Sequence, residues 1–351
     1  MYRLENYLMI AFDTTKRRSE GGSGPLPEED LIKAVLKELP DFKSAVPASW
    51  SLLDFPDHSN VGDAAIWLGT IELLGKLFGR PPSYVTSHRD LPDDLDRLCP
   101  EGPVFLHGGG NFGDLWGGFW QKRVTVLKRY RHRRIIQLPQ TIAFLSDPTA
   151  LAETRAAIAS HPDFTLLVRD HASLSFARAN FDCPVHLSPD FAFGLGHLPR
   201  PVEAQSPCIA LMRGDEERRD EGETAAILSK HMPVCDWITS ERPARTGRWA
   251  TKLAQSVPLL RAPLNARIAA GFDQQARWQL QRGCSILAQG EKVITDRLHA
   301  HILCRLMRIP QVVLDNSYGK IFGYMNSWPS DPLSRQAGTA QEAIERLTTL
   351  S

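Results

Sequence analysis

The sequence predicts an α/β protein built from two parallel-sheet halves, and three observations lead to that class. Short apolar runs alternate with stretches of helical periodicity, which is typical of parallel strands joined by crossover helices. The chain has 351 residues, more than one domain usually contains. A proline-rich linker, residues 196–207, divides the alternation into two series. We therefore expect two domains, with ligand sites beyond the carboxyl ends of their strands.

The elements follow from the apolar pattern in chain order. Residues 1–40 are interpreted as a polar tail and a short amphipathic helix, and the first domain is placed at residues 41–195. Its strands are expected at 51–55, 103–107, 134–138 and 164–168, and its helices around Trp67 to Phe78 and at 116–131, 148–159 and 172–179. The second domain is placed at residues 208–351, with strands expected at 208–212, 234–238, 292–295 and 311–314.

Composition argues against several classes of protein. Lysine and arginine total 41 against 40 aspartate and glutamate, so bulk positive charge for nucleic-acid binding is lacking. The six cysteines form no C-x-x-C pair, and we expect neither a metal site nor a cofactor. No apolar run is long enough to span a membrane, and the first residues lack a signal-peptide pattern. The expected location is the cytoplasm.

Two glycine-containing segments follow predicted strands. Asn60-Val61-Gly62-Asp63 precedes the Trp67 helix, where it forms either a plain helix N-terminus or part of a site. Gly108, Gly109 and Gly110 follow His107, and their amides could form an anion-binding concavity. A merely flexible turn is the alternative. The segment is neither a Walker loop nor a dinucleotide-binding turn.

Cationic side chains follow three other strands. Arg169 and Arg213 occupy equivalent places in the two halves, where each could clamp a carboxylate or phosphate or form a surface ion pair. Asp296 is predicted to be the N-cap of a helix that carries Arg297 and His299 in its first turn. A cation there opposes the helix dipole unless an anion binds. His299 is either an acid–base group or a core histidine.

These segments, in this order, resemble the polysaccharide pyruvyl transferase family. The segments that carry the resemblance are Asn60–Asp63, His107–Phe112, Leu138–Ile142, Val168–Asp170, Ser188–Asp190, Thr295–His299 and Lys320. The resemblance implies the GT-B arrangement of two facing Rossmann-like domains, with the active site in the cleft between them. One departure is Pro139-Gln140-Thr141-Ile142, where relatives often have Gly-Gln-Ser-Ile-Gly-Pro.

The resemblance also implies an activity. It is transfer of the enolpyruvyl unit of phosphoenolpyruvate to two hydroxyls of a sugar, which forms a cyclic ketal and releases phosphate. The acceptor would belong to a bacterial exopolysaccharide, often a lipid-linked repeat unit. On this interpretation His299, Asp63 and Arg297 are catalytic. The predicted donor-binding residues are Arg169, Arg213, Gly108, Gly109, Gly110 and Lys320, and the remaining cleft residues are Asn60, Gly62, Asn111, Gln140 and Asp190.

Other interpretations remain open. A GT-B glycosyltransferase that uses a nucleotide sugar would need a similar glycine segment and similar arginines. A non-catalytic saccharide-binding assembly protein would bind ligand without releasing phosphate. The basic run from Lys128 to Arg134 is either a solvated helix end or a peripheral contact with anionic lipid at the inner membrane face.

Overall fold

The computed structural model describes residues 26–39, 47–115, 117–145, 147–215, 217–238, 248–257, 260–317 and 319–350. Helices and strands alternate along most of this length, as the sequence predicts. The helices are α1 (Pro27–Glu38), α2 (Val61–Phe78), α3 (Leu95–Leu98), α4 (Gly117–Arg129), α5 (Pro148–Ser160), α6 (His171–Asn180), α7 (Glu223–Leu228), α8 (Arg248–Ser256), α9 (Arg261–Ala288), α10 (Leu298–Met307), α11 (Lys320–Met325) and α12 (Ala340–Thr349).

The strands form two sheets, and every strand pair in both is parallel. The first sheet has the order β2-β1-β3-β5-β6-β7, with β4 paired to β5, and the second has the order β12-β11-β10-β8-β9. The strands are β1 (Ser51–Phe55), β2 (Tyr84–Ser87), β3 (Val104–Leu106), β4 (Gly109–Gly113), β5 (Ile135–Ala143), β6 (Phe164–Val168), β7 (Val185–Leu187), β8 (Ser206–Leu211), β9 (Val234–Cys235), β10 (Gly290–Thr295), β11 (Gln311–Leu314) and β12 (Ser334–Ala337).

All eight predicted strands are present, and four further strands were not predicted. Strands β2, β4, β7 and β12 lack a clear apolar run, and β5 extends five residues past its expected end to include Gln140. The sequence also failed to predict α9, a helix of 28 residues. The observed α/β class with parallel sheets confirms that part of the prediction.

Helix α2 packs tightly against elements on several sides. Phe55 of β1 stacks on Phe272 of α9, with ring centroids 4.2 Å apart, and Trp67 of α2 packs edge-on against both rings. A side chain at Gly69 would collide with the carbonyl of Phe191, which explains the glycine at this crossing. Burial of such aromatic side chains contributes several kcal/mol, about 1.5–3 for each. The N-terminus of α2 is thereby held in a fixed place.

The N-terminal helix belongs to the core. In α1, Ile32 is fully buried, and Glu28 forms an ion pair with Arg305 of α10 at 2.7 Å.

No helix among the described residues is long and apolar enough to cross a bilayer.

Candidate active site

The first turn of α2 presents Asp63 on a constrained backbone. Asn60 caps the helix because its Oδ1 accepts a hydrogen bond from the amide of Gly62 at 3.1 Å. Its Nδ2 donates to Oδ2 of Asp63 at 2.9 Å, which fixes that carboxylate. The same oxygen lies 3.4 Å from Nε2 of His58. Asn60 therefore positions Asp63, and the segment does more than begin a helix.

The glycine segment is a strand rather than the loop expected from sequence. Gly109 to Gly113 form β4 and pair with β5, with a register shift between Gly109 and Phe112. Gly109 has φ +130°, a conformation that side chains disfavour, and a Cβ there would lie 3.4 Å from Oδ1 of Asp63. Gly108 packs against the carbonyl of Pro139, 2.9 Å from an ideal Cβ position. The glycines thus bring backbone close to other groups.

A network behind β4 holds this strand in place. Gln140 accepts a hydrogen bond from the amide of Asn111 at 3.2 Å and donates to the carbonyl of His107 at 3.0 Å. The buried guanidinium of Arg123 donates to the Asn111 side chain at 2.7 Å and to its carbonyl at 2.9 Å. Of the two predicted cleft residues, Gln140 therefore holds the backbone of the strand, and the side chain of Asn111 accepts hydrogen bonds from Arg123 and Gln140.

Three predicted residues meet through one buried carboxylate. Nη1 of Arg169 lies 2.5 Å from Oδ2 of Asp190, and Nε2 of His299 lies 3.4 Å from the same oxygen. Burial would raise the pKa of Asp190, but the contact with His299 and the charge on Arg169 lower it well below its ordinary value. Asp190 is therefore ionised and can stabilise a protonated His299.

His299 lies against the backbone of α2. A Cβ placed on Gly62 would be 2.2 Å from Nδ1 of His299, so only glycine fits at this position. His299 is the second residue of α10 and is mostly buried, with an exposed fraction of 11%. The glycine in the α2 segment and the histidine in the α10 segment, 237 positions apart, are thus in direct contact.

Lys320 adds a second cation beside Arg169. An ideal Cβ on Gly110 would lie 2.4 Å from Nζ of Lys320 and 3.0 Å from Nη2 of Arg169. Nζ is also 3.5 Å from Glu217. Burial lowers the pKa of Lys320, Glu217 opposes that effect, and the nearby positive charges of Arg169 and Arg213 lower the pKa further. An anion bound here would relieve the repulsion between these cations.

Arg213 and Arg297 lie among acidic side chains next to Lys320. Arg213 is bonded to Asp215 at 2.7 Å and to Glu217 at 2.8 Å, and Glu217 links it to Lys320. Arg297 contacts Asp236 at 2.8 Å and Asp215 at 3.2 Å. Its guanidinium lies 5.7 Å from the ring centroid of Trp237. These contacts do not bring Arg297 to His299 or Asp63.

The predicted N-cap of α10 was wrong by one residue. Arg297 occupies the cap position, and its amide donates to Oγ1 of Thr295 at 3.1 Å. Asp296 instead accepts from the amide of Arg213 at 2.8 Å, which links the ends of β8 and β10. Burial raises the pKa of Asp296 to about 6.

Sequence reasoning assigned no role to three side chains near these groups. His58 contacts Asp63, and Glu217 contacts both Lys320 and Arg213. The ring of His107 is buried, and neither of its nitrogens makes a hydrogen bond within the described part of the chain. Burial lowers the pKa of His107 to about 4. No local pattern marks His58 or Glu217, since their partners become neighbours only in the fold.

The polysaccharide pyruvyl transferase family matches residues 60–318, the stretch that contains all the predicted site residues except Lys320. This chain belongs to that family. Pyruvyl transferase 1 of Schizosaccharomyces pombe is 31% identical over 299 residues, covering 79% of this chain and 69% of that protein. EpsO of Bacillus subtilis, a protein named as a pyruvyl transferase, is 28% identical over 283 residues, covering 78% of this chain and 84% of that protein.

A solved structure shares the fold of this family member. The crystal structure of a functionally uncharacterised Klebsiella pneumoniae protein superposes with a TM-score of 0.54, covering 83% of this chain and 94% of the other. The sequence identity is 17%, so this likeness concerns the fold alone. The family membership makes the chain a transferase, as the sequence predicted.

Proposed function

We propose that this pyruvyl transferase moves the enolpyruvyl unit of phosphoenolpyruvate onto two hydroxyls of one sugar, with release of phosphate. The acceptor would be a saccharide unit of an exopolysaccharide, carried on a lipid. The proposal is supported mainly by the proximity of two cations to a histidine and its carboxylate partner. Lys320 and Arg169 converge over Gly110, and Arg169 shares the carboxylate of Asp190 with His299.

The cations suit a donor that carries a carboxylate and a phosphate. Gly110 has no side chain, so Nζ of Lys320 and Nη2 of Arg169 can approach the same volume in front of β4. Charge-assisted hydrogen bonds from a lysine and an arginine are stronger than neutral ones, and arginine can bind such groups through two atoms. Arg213 would act indirectly, because Glu217 binds both Arg213 and Lys320 and a phosphate would compete for Lys320.

His299 would supply the proton that the donor needs. In the first step a sugar hydroxyl oxygen bonds to the central carbon of phosphoenolpyruvate, and the methylene carbon takes a proton from Nδ1 of His299. Asp190 orients the ring from the Nε2 side and stabilises the imidazolium before transfer. Their separation of 3.4 Å is compatible with a contact that tightens when substrate binds.

Asp63 would accept the proton of the attacking hydroxyl. Its Oδ2 is fixed by Asn60, while Oδ1 faces the backbone of Gly109. Phosphate then leaves with the electrons of its bond to carbon and takes the proton held by Asp63, and the second hydroxyl attacks that carbon. The second hydroxyl proton returns to His299, and the ketal ring closes. Each positioned acid or base is expected to contribute about 10²–10⁴ in rate.

The facing GT-B arrangement is part of this proposal. In it, Lys320 and His299 follow strands of the second sheet, whereas Gly110 lies in a strand of the first sheet and Asp190 follows another. Contacts between these pairs support a site built from both halves.

A thermal-shift titration tests the donor. Phosphoenolpyruvate, UDP, GDP and CMP are each added to the purified protein, and saturation at 100 times the dissociation constant adds about 2.7 kcal/mol of stability. We expect phosphoenolpyruvate alone to raise the melting temperature, and Lys320→Gln to reduce that rise. Lys230→Gln, at an exposed site away from these contacts, is the matched control. A response to one nucleotide alone would refute the donor and favour a glycosyltransferase.

A further inference from the structure

Helix α8 buries its small apolar residues and exposes its large ones, which is the opposite of the usual arrangement. The small residues Ala250 and Ala254 are buried, whereas the larger Trp249 and Leu253 are 52% and 38% exposed. Val257, one turn further on, is 39% exposed. A helix that only packs on a soluble core turns its large apolar side chains inward. The exposed residues recur at every fourth position and form one stripe, which we name the α8 stripe.

The charge around this helix is strongly one-sided. Six basic residues and no aspartate or glutamate occur between positions 242 and 272, in a chain whose total charge is only +1. The basic residues are Arg242, Arg245, Arg248, Lys252, Arg261 and Arg267. Arg261 is buried and donates to the carbonyl of Val85, so it does not add to the charge of the surface. Lys252 is exposed, and the exposed Arg267 places its guanidinium 5.5 Å from the ring of Trp249. Positions 242 and 245 lie outside the described residues.

The other basic segment, Lys128 to Arg134, is different. Arg129 pairs with Asp93, Arg133 with Asp96 at 2.8 Å, and Arg134 with Asp163. Its cations therefore have local counter-charges, which favours the interpretation of that run as a helix end with ordinary ion pairs. By contrast, Lys252 and Arg267 near α8 form no ion pair with another described residue, and the helix adds an exposed tryptophan.

We propose that the α8 stripe is a peripheral membrane anchor that lies on a bilayer surface containing anionic lipid. Tryptophan and leucine on one face, with lysine and arginine around them, are the features of a helix that lies in the membrane interface. A polyanion such as nucleic acid would use the charge but not the exposed apolar side chains. A second copy of the chain would meet the same positive charge and be repelled.

This anchor would place the candidate site near the membrane. Helix α8 packs on α9, and α9 holds the loop before α2, since Gln279 donates to the carbonyl of His58 at 2.6 Å. Gln275 donates to Asp57 at 3.1 Å in the same loop. His58 in turn contacts Asp63. The membrane contact does not depend on the proposed reaction, although it would suit a lipid-carried acceptor.

Vesicle sedimentation tests the anchor. The full chain is mixed with vesicles of phosphatidylcholine alone and of phosphatidylcholine with phosphatidylglycerol. We expect binding to the anionic vesicles, weakened at least about 30-fold by Trp249→Ser/Leu253→Ser. Lys252→Gln should weaken it about fivefold. Leu145→Ser is the matched control, because Leu145 is an exposed leucine after the end of β5, and this variant should bind like the unaltered chain.

Four outcomes would overturn the proposal. They are no sedimentation with anionic vesicles, equal binding to both vesicle types, equal binding by the Trp249→Ser/Leu253→Ser variant, and a dimer in size-exclusion chromatography that this variant abolishes. The altered side chains are exposed, and circular dichroism with thermal melting verifies that each variant folds. Because vesicle binding needs no substrate, a failed test of the donor would leave this result interpretable.

Discussion

Arg169 and Arg297 both follow buried parallel strands, yet their surroundings differ. Arg169 is paired with Asp190, and its Nη2 is turned toward Gly110 and Lys320. Arg297 is bonded to Asp215 and Asp236 and lies beside Trp237. Two carboxylates and an aromatic ring around one guanidinium leave little cause for it to bind another anion. Arg169, which shares one carboxylate with a histidine, is placed next to a second cation.

This difference shows that an arginine directly after a parallel strand does not by itself mark an anion-binding site. The sequence places Arg169, Arg213 and Arg297 in comparable positions. Their partners decide their roles, and those partners are distant in sequence for Arg169 and Arg297. Arg297 was predicted as catalytic, and that role stays a prediction, while its contacts with Asp215 and Asp236 tie it to the end of the second sheet.

The two arginines are compared by replacing each with lysine. Arg169→Lys should lower kcat/KM for phosphoenolpyruvate about 10²–10³-fold, because lysine cannot bind Asp190 and the donor together. Arg297→Lys should cost mainly stability, about 1–3 kcal/mol, from lost charge-assisted hydrogen bonds. Steady-state kinetics and chemical denaturation measure both variants. Equal losses of kcat/KM in the two variants would contradict the assignment of donor binding to Arg169 rather than Arg297.

Two buried histidines, one beside each sheet, have lowered pKa values and are expected to make stability depend on pH. Burial lowers the pKa of His107 beside the site to about 4, and that of His301 in α10 to about 3. Unfolded histidine binds a proton near pH 6.5, so between pH 6.5 and 4 the unfolded state holds more protons. Stability should therefore fall as the pH falls through this window. For His107 alone the loss is about 3 kcal/mol.

His107→Phe removes one of these titrations. Its unfolding free energy should fall less than that of the unaltered chain between pH 7 and 4, as measured by urea denaturation at several pH values. Parallel curves for the two proteins would show that His107 does not carry this dependence.

Substitution of two glycines can separate the effects on proton transfer from those on donor binding. A methyl group at Gly62 would meet Nδ1 of His299, whereas one at Gly110 would meet Nζ of Lys320. Gly62→Ala should lower kcat about 100-fold, because small displacements of a reacting group are costly. Gly110→Ala should raise KM for phosphoenolpyruvate about tenfold, the worth of one charge-assisted hydrogen bond.

Gly118 supplies the control for both glycine variants. A Cβ there meets no atom within 4 Å, so Gly118→Ala should leave kcat and KM unchanged. If Gly62→Ala changed only KM, or Gly110→Ala changed only kcat, the roles of His299 and Lys320 would have to be exchanged.

The sequence could predict much of the fold because buried parallel strands are continuous apolar runs. Strands such as Phe164–Val168 are marked by that pattern. The glycine strand β4 was missed because glycine has low strand propensity, and it forms because Gln140 and Arg123 hold its backbone. Helix α9 was missed because its buried positions are mixed with many polar residues.

The site was predictable as a set of segments but not as a geometry. Gly62 and His299, or Gly110 and Lys320, are more than 200 positions apart, and their contact follows from how α2, α10 and α11 pack. Lys320 was found only through the family resemblance. Asp190 was placed in the cleft, but its pairing with Arg169 and His299 depends on side-chain burial that a single sequence does not show.

The central claim is that His299 transfers a proton during consumption of phosphoenolpyruvate. The direct measurement is phosphate release from phosphoenolpyruvate with a panel of saccharide acceptors, comparing the unaltered chain with His299→Gln and with the exposed control His231→Gln. We predict release with at least one saccharide, a loss of about 10²–10⁴-fold in His299→Gln, and no loss in the control. Phosphate release by His299→Gln at the full rate would contradict the account.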